Sequence, residues 1–182
     1  MDLQLKEKKA FISGSTQGIG FAIAQQLLRE GASVIINGRN KEKTEKAKKQ
    51  LEKQFPEAGI SGIAADFKNK DEVSQLLEIL PEVDILVNNL GIFDIAEFEE
   101  IPDAEWYRYF EINVMSSVRL SRKLLPQMQQ KNWGRIIFIS SESGVNVPEN
   151  MIINRNAISW KKIYTSMLRI LMKHESYLNQ MA

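Results

Sequence analysis

The sequence predicts an α/β fold, a doubly wound parallel sheet of five strands within one domain spanning residues 1–182. Three observations carry this. Short apolar runs alternate with amphipathic stretches of helical period, the later runs are continuous and β-branched, and a glycine-rich turn follows the first run directly. At 182 residues and 43% hydrophobic, the chain can bury one substantial core.

Residues 9–13 (KAFIS) form the first apolar run, and after the turn Ile19, Ala22, Ile23 and Leu27 share one face of a helix expected over 19–29. SVIIN (33–37) is a second buried-type strand, followed by a charged helix that Pro56 closes. GISGIAAD supplies a third strand ending at Asp66, and DEVSQLLEIL a third helix capped near Asp71. VDILVNN is continuous and β-branched, as strands covered on both faces are. Residues 103–132 read as one long or two consecutive helices stopped at NWG, and RIIFIS is the fifth strand. Right-handed crossovers give the order 3-2-1-4-5, which leaves RIIFIS at an edge. After Ser141 the alternation fails, and SWKKIYTSMLRILMK is the single amphipathic stretch.

Lys+Arg 24 against Asp+Glu 23 leaves a formal charge of +1, so no global field favours nucleic acid or an acidic membrane. In KEKTEKAKKQLEK, Glu42 precedes Lys46 and Glu45 precedes Lys49 by four residues, the pattern of a solvated helix face. The chain has no cysteine, which excludes disulfides and thiolate metal sites, and no metal site is expected. MDLQLKEKKA has no apolar core of a leader, and no run approaches the roughly 18 apolar residues of a membrane span, so the expected location is cytoplasmic.

SGSTQGIG opens the first helix. Gly14 allows a tight turn, Gly18 lets backbone approach a pyrophosphate and Gly20 permits close packing, although a glycine-rich turn without a ligand remains an alternative. NNLG (88–91) closes the fourth strand, Asn113 lies in the long helix and ISSESG closes the fifth strand. In this order, SGSTQGIG, NNLG, Asn113 and Ser141 resemble the motifs of the short-chain dehydrogenase/reductase family, a Rossmann-type group of oxidoreductases, over residues 8 to about 150.

The resemblance implies that Gly14, Ser15, Gly18, Ile19 and Gly20 line the cofactor's pyrophosphate and ribose, and that Asp66 meets the adenine. It implies that Asn88 ties the central strands beside the cofactor, with Gly91 in the same motif; a satisfied strand-end amide is the other, compatible reading of Asn88. Leu90 stands where the family usually has alanine. Strand two ends in NGRN without the acidic residue that accepts the ribose hydroxyls of NAD. Arg39 instead resembles family members preferring NADP(H), where a guanidinium clamps the 2′-phosphate. An ordinary solvated arginine is the other reading.

The family's acid and cation are a Tyr and a Lys four residues apart, sharing a helical face so that the ammonium stabilises the phenolate. Ser141 matches the family's serine, but the Tyr and Lys positions fall on Asn154 and Ile158. Asn113, which in the family holds a water against that lysine, reads equally as a helix-kink residue. Tyr164 with Lys161 or Lys162 would have the order reversed. The tail from 151 reads as a shifted reading frame joined to a family-like segment, lacking the family's last strands. The expectation is NADP(H)-dependent alcohol or carbonyl chemistry, impaired in this chain. The alternatives are a non-catalytic NADP(H)-binding or interaction module and a non-functional truncated product. The partner expected is a small molecule, with a family-like homo-oligomer in doubt.

Overall fold

Residues 3–141 are described by the structure, a computed structural model. Lys9–Ile12 (β1), Ser33–Gly38 (β2), Ile60–Ala64 (β3), Ile85–Asn88 (β4) and Arg135–Phe138 (β5) form one sheet in the order β3-β2-β1-β4-β5, every neighbouring pair parallel. The order reverses at β1, whose Ala10, Phe11 and Ile12 pair with Ile85, Leu86 and Val87 of β4. Contacts separate the described residues into two units, 3–91 with 119–139 and 92–118 with 140–141. The whole sheet belongs to the first.

Alternation along the strands sorts the core. Ala10, Ile12, Val34, Ile36, Ile85 and Val87 face Gly18–Arg29 (α1) and Lys41–Gln54 (α2), burying Ala24, Leu28, Ala47 and Leu51. Phe11, Ile35 and Leu86 face the other way, onto Val73 and Leu76 of Lys70–Ile79 (α3) and onto Leu120, Leu124 and Met128. The central strands are therefore buried on both faces, as their continuous apolar runs require. β5 lies at one edge of the described sheet, and Ile137 there is 45% exposed.

Helix ends follow local chemistry. Gly31, at φ +85°, ends α1 by donating to Leu28 O while the next N–H, of Ala32, reaches back to Leu27 O. The NWG stop works the same way with asparagine. Asn132 takes φ +50° and donates to Gln129 O, and Trp133 donates to Met128 O.

Three details differ from the sequence reading. β3 ends at Ala64, two residues before Asp66, because the Asp66 N–H turns to Glu72 Oε2 at 2.8 Å. The cap of α3 is Asn69, whose side chain accepts from the N–H groups of Asp71 and Glu72; Asp71 lies in the first turn. Glu72 returns the bond by accepting from Asn69 Nδ2 at 3.0 Å. On α2 the ion pairs formed are Lys48 with Glu45 and Glu52 rather than the two expected pairs, since a lysine at that position reaches acids on either side.

The long helical stretch is Asp103–Phe110 (α4), a π-helical turn at Glu111–Met115 and Ser116–Gln130 (α5), preceded by a 3₁₀ turn at Phe98–Glu100. No helix among the described residues is long and apolar enough to cross a membrane. The amphipathic stretch expected after residue 158 lies outside the described residues, as do Asn154 and Ile158.

Candidate functional site

β1 delivers the chain to the glycine turn at the carboxyl edge of the sheet, beside the point where the strand order reverses. Gly14 and Gly18 both take left-handed backbone, φ +61° and +60°, which a side chain would strain. Gly20 is required for a different reason. A Cβ there would lie 2.5 Å from Asn89 Nδ2, 2.6 Å from Gly14 O and 2.9 Å from Ser15 Cα. A Cβ on Gly18 would meet nothing within 4 Å. One glycine thus opens space outward and another closes space inward.

The turn is fixed by buried polar groups. Ser15 and Asn37 exchange bonds, Ser15 N–H donating to Asn37 O at 2.8 Å and Asn37 N–H to Ser15 Oγ at 2.9 Å. Asn37 Oδ1 also accepts from Gly14 N–H at 3.2 Å, and its Nδ2 donates to Ile63 O on β3 at 3.1 Å. From the other side, Asn89 Nδ2 donates to Ser13 O and Gly14 O at 3.1 and 2.8 Å. Ser13 Oγ accepts from the N–H groups of Asn89 and Leu90, both at 3.0 Å. Two neighbouring strands therefore hold the turn.

Sequence reasoning did not single out Asn37, Asn89 or Ser13. Their signal is a polar residue closing an otherwise apolar strand, where a buried amide needs partners. Leu90, in place of the family's alanine, comes within 3.3 Å of where a Gly14 Cβ would stand.

α1 begins without a side-chain cap from Gln17, so the first N–H groups, of Gly18, Ile19 and Gly20, open at its positive end. Ile19 is 65% exposed there. An uncapped helix start beside an open glycine suits an anionic group approaching the backbone. These residues fit a dinucleotide phosphate, with the N–H groups as donors.

The other expected residues stand as follows. Arg39, just past β2, is exposed and has no hydrogen-bond or ion-pair partner among the described residues. Asp66 is half-buried and accepts from Lys68 N–H through Oδ1 at 3.0 Å. Asn88 is buried, and its Nδ2 reaches Ser121 Oγ on α5 at 3.5 Å rather than a neighbouring strand. Its Oδ1 is buried with no partner among the described residues. Gly91 is exposed. The strand tie assigned to Asn88 is made by Asn89 and Asn37.

In the second unit, Asn113 sits buried in the π-helical turn, accepting from Ile92 N–H at 2.7 Å and donating to Ile92 O at 3.1 Å. Hydroxyls of Ser116 and Ser117 donate to the carbonyls of Ile112 and Val114, taking up acceptors that a helix distortion frees. The side-chain amide of Asn113 is thus engaged structurally. Arg108 Nε donates to both Glu105 oxygens, and a terminal nitrogen reaches Asp94 at 3.0 Å; Glu105 above all holds the guanidinium pKa up. Tyr109 is buried, and burial, then the Asp94 carboxylate, pushes its phenol well above the usual range, so it is no ready acid. Ser141 is exposed.

A family model described as short chain dehydrogenase matches residues 8–153. The chain is 49% identical over 151 residues to an uncharacterized oxidoreductase of Bacillus subtilis, YvaG, covering 83% of this chain and 57% of the relative. It is 37% identical over 145 residues to the D-beta-hydroxybutyrate dehydrogenase of Cupriavidus necator, covering 78% and 55%. Among solved structures it resembles the L-sorbose reductase of Gluconobacter frateurii complexed with NADPH and L-sorbose, with a TM-score of 0.87 and 30% identity, covering 95% of this chain and 67% of that one. The chain spans less than two thirds of the length of those curated relatives.

Proposed function

This chain belongs to the short-chain dehydrogenase family, and from that premise we propose that it binds NADP(H) in preference to NAD(H), for alcohol or carbonyl chemistry, with turnover impaired in the chain as written. The observation that carries the cofactor reading is Arg39, exposed past the end of β2 and without a partner among the described residues, where no carboxylate stands for ribose hydroxyls. A guanidinium there forms charge-assisted bonds to a 2′-phosphate. Gly18, Ile19 and Gly20 receive the pyrophosphate through their N–H groups, and the open carboxylate oxygen of Asp66 accepts from the adenine. The NADPH in the L-sorbose reductase complex is in keeping with this preference. The cofactor supplies or accepts a hydride when bound, and Ser141 donates a hydrogen bond to the reacting oxygen. The protein works in the cytoplasm on a small molecule.

Impairment follows from Asn154 and Ile158. An amide is no general acid near neutral pH and isoleucine carries no charge, while positioned acid–base catalysis is worth about 10²–10⁴-fold. The second reading, a non-catalytic NADP(H)-binding module, rests on those same two residues beside an intact phosphate turn.

Fluorescence titration with NADPH and NADH tests the binding. Arg39→Ala should weaken NADPH binding by about 1.5–3 kcal/mol, roughly tenfold or more, and leave NADH unchanged. Equal wild-type affinities for the two cofactors would remove the preference. A carbonyl and alcohol screen should find binding without family-like turnover; robust turnover abolished by Ser141→Ala would show that the acid lies elsewhere.

A further inference from the structure

Asn37 and Gly38 form the only Asn-Gly pair in the chain. In that dipeptide an asparagine side chain is most readily attacked by its own backbone, because glycine puts no side chain beside the attacking nitrogen and leaves φ free for ring closure. Here the pair closes β2, and all four polar groups of Asn37 are engaged. The Asn37 N–H donates to Ser15 Oγ at 2.9 Å, and the Asn37 carbonyl accepts from Ser15 N–H at 2.8 Å. The side chain accepts from Gly14 N–H through Oδ1 at 3.2 Å and donates through Nδ2 to Ile63 O at 3.1 Å. Gly38 stays in register with Ala64 of β3, and its carbonyl accepts from Ala65 N–H at 2.9 Å. Asn37 is only 1% exposed, so water does not reach its amide while the strand is paired. Three of its four bonds run to Gly14 and Ser15, which makes the glycine turn the lock on this side chain.

We propose that Asn37 is a deamidation site gated by the glycine turn: local opening of the turn and the end of β2 frees the amide, and the reaction then unfastens the turn for good. In the open state the Gly38 backbone nitrogen gives up its proton to solvent base and attacks Asn37 Cγ. A C–N bond forms, the Cγ–Nδ2 bond breaks, and ammonia leaves with a proton from water, closing a five-membered succinimide. Water opens that ring at either carbonyl, leaving aspartate or isoaspartate. The net change is amide plus water to carboxylate plus ammonium, with nothing oxidised or reduced. Neither product restores the old bonding. A carboxylate has no donor for Ile63 O and sets an anionic oxygen against that carbonyl in a buried place. Isoaspartate also lengthens the backbone where β2 pairs with β3. Asn40 and Asn132 are exposed, yet Lys41 and Trp133 follow them, so their next nitrogen is hindered. The modification stands on Asn37 itself. Only its effect on dinucleotide binding rests on the NADP(H) reading above, since the new charge lies against the turn proposed to receive the pyrophosphate.

The test is to age the full chain in mildly alkaline buffer and map its peptides by mass spectrometry, with isoaspartate counted enzymatically. Deamidation at Asn37 should be at least about 100-fold slower in the folded chain than in urea-unfolded chain, and sub-denaturing urea should raise it before global unfolding begins. Ser15→Ala removes one buried bond and should raise the rate at Asn37 about tenfold, with Asn132 unchanged. Asn89→Ala loosens the turn at Ser13 O and Gly14 O without touching Asn37; it should raise the rate as well, and it serves if Ser15→Ala does not fold. The aged protein, and Asn37→Asp as a direct copy of one product, should lose on the order of 5 °C in Tm and bind NADPH about tenfold more weakly. Faster deamidation at another asparagine of the unfolded chain, equal rates at Asn37 in folded and unfolded chain, or a rate unmoved by sub-denaturing urea and by both variants would overturn the proposal. So would a fully deamidated protein that keeps its Tm. A wild type that binds no dinucleotide would overturn the cofactor reading, while the mass and isoaspartate readouts still decide this one.

Discussion

The two ends of the proposed nucleotide edge, the glycine turn and the end of β2, are built on opposite principles. At the glycine turn, Ser13, Ser15, Asn37 and Asn89 bind backbone from two neighbouring strands, and almost every polar atom has a partner within the protein. At the end of β2, the exposed Arg39 has none among the described residues. Backbone N–H groups must point in fixed directions to receive a pyrophosphate, so their scaffold is over-determined. On the proposed NADP(H) reading, a side chain that selects between two ribose substituents needs only reach and charge. Substitutions should accordingly cost stability at the first end and selectivity at the second.

The largest effect is expected at Gly20→Ala. Its Cβ would press on Gly14 O and Ser15 Cα, which are backbone and cannot rotate away, so stability should fall by about 3 kcal/mol. Urea or thermal unfolding measures this, and a loss below about 1 kcal/mol would mean the turn is softer than its bonding implies.

Asn89→Ala comes next. It leaves Ser13 O and Gly14 O without the donor just past β4, for a loss of about 2 kcal/mol. NADPH affinity should fall in parallel, because the turn loses one of its two anchors. Unchanged affinity in a destabilised protein would locate the binding geometry in Asn37 alone.

Gly18→Ala separates strain from space. Nothing stands where its Cβ would go, so its cost is the left-handed backbone, about 1–2 kcal/mol, whereas a phosphate approaching that point would meet the methyl. NADPH binding should drop more than stability does. The reverse ranking would place the phosphate elsewhere.

Arg39→Ala should be the mildest for stability, within about 0.5 kcal/mol, since an exposed side chain without partners among the described residues is lost. A clear fall in Tm would show that Arg39 also braces the fold and would erase the contrast between the two ends.

Much of this architecture was legible in the order of residues alone. The alternation of apolar runs with helical periods, the NWG stop and the three glycines are local signals, because strand and helix period and left-handed backbone are set by each residue and its near neighbours. The order and type of the five strands among the described residues followed from them, though the end of β3 did not. What tertiary structure decided was who pairs with whom. The bond from Asn89 N–H to Ser13 Oγ spans 76 residues, and Asn37 becomes a hub only because parallel pairing sets the end of β2 beside the glycine turn. Asn69 rather than Asp71 caps α3, its side chain accepting from the N–H groups of Asp71 and Glu72. Asn113 falls in a π-helical turn, where its amide grips Ile92. Nor does SGSTQGIG beside NGRN disclose that the Thr16 methyl stands where a Gly38 Cβ would fall, since contact between the glycine turn and the end of β2 depends on distances that spacing along one chain does not contain.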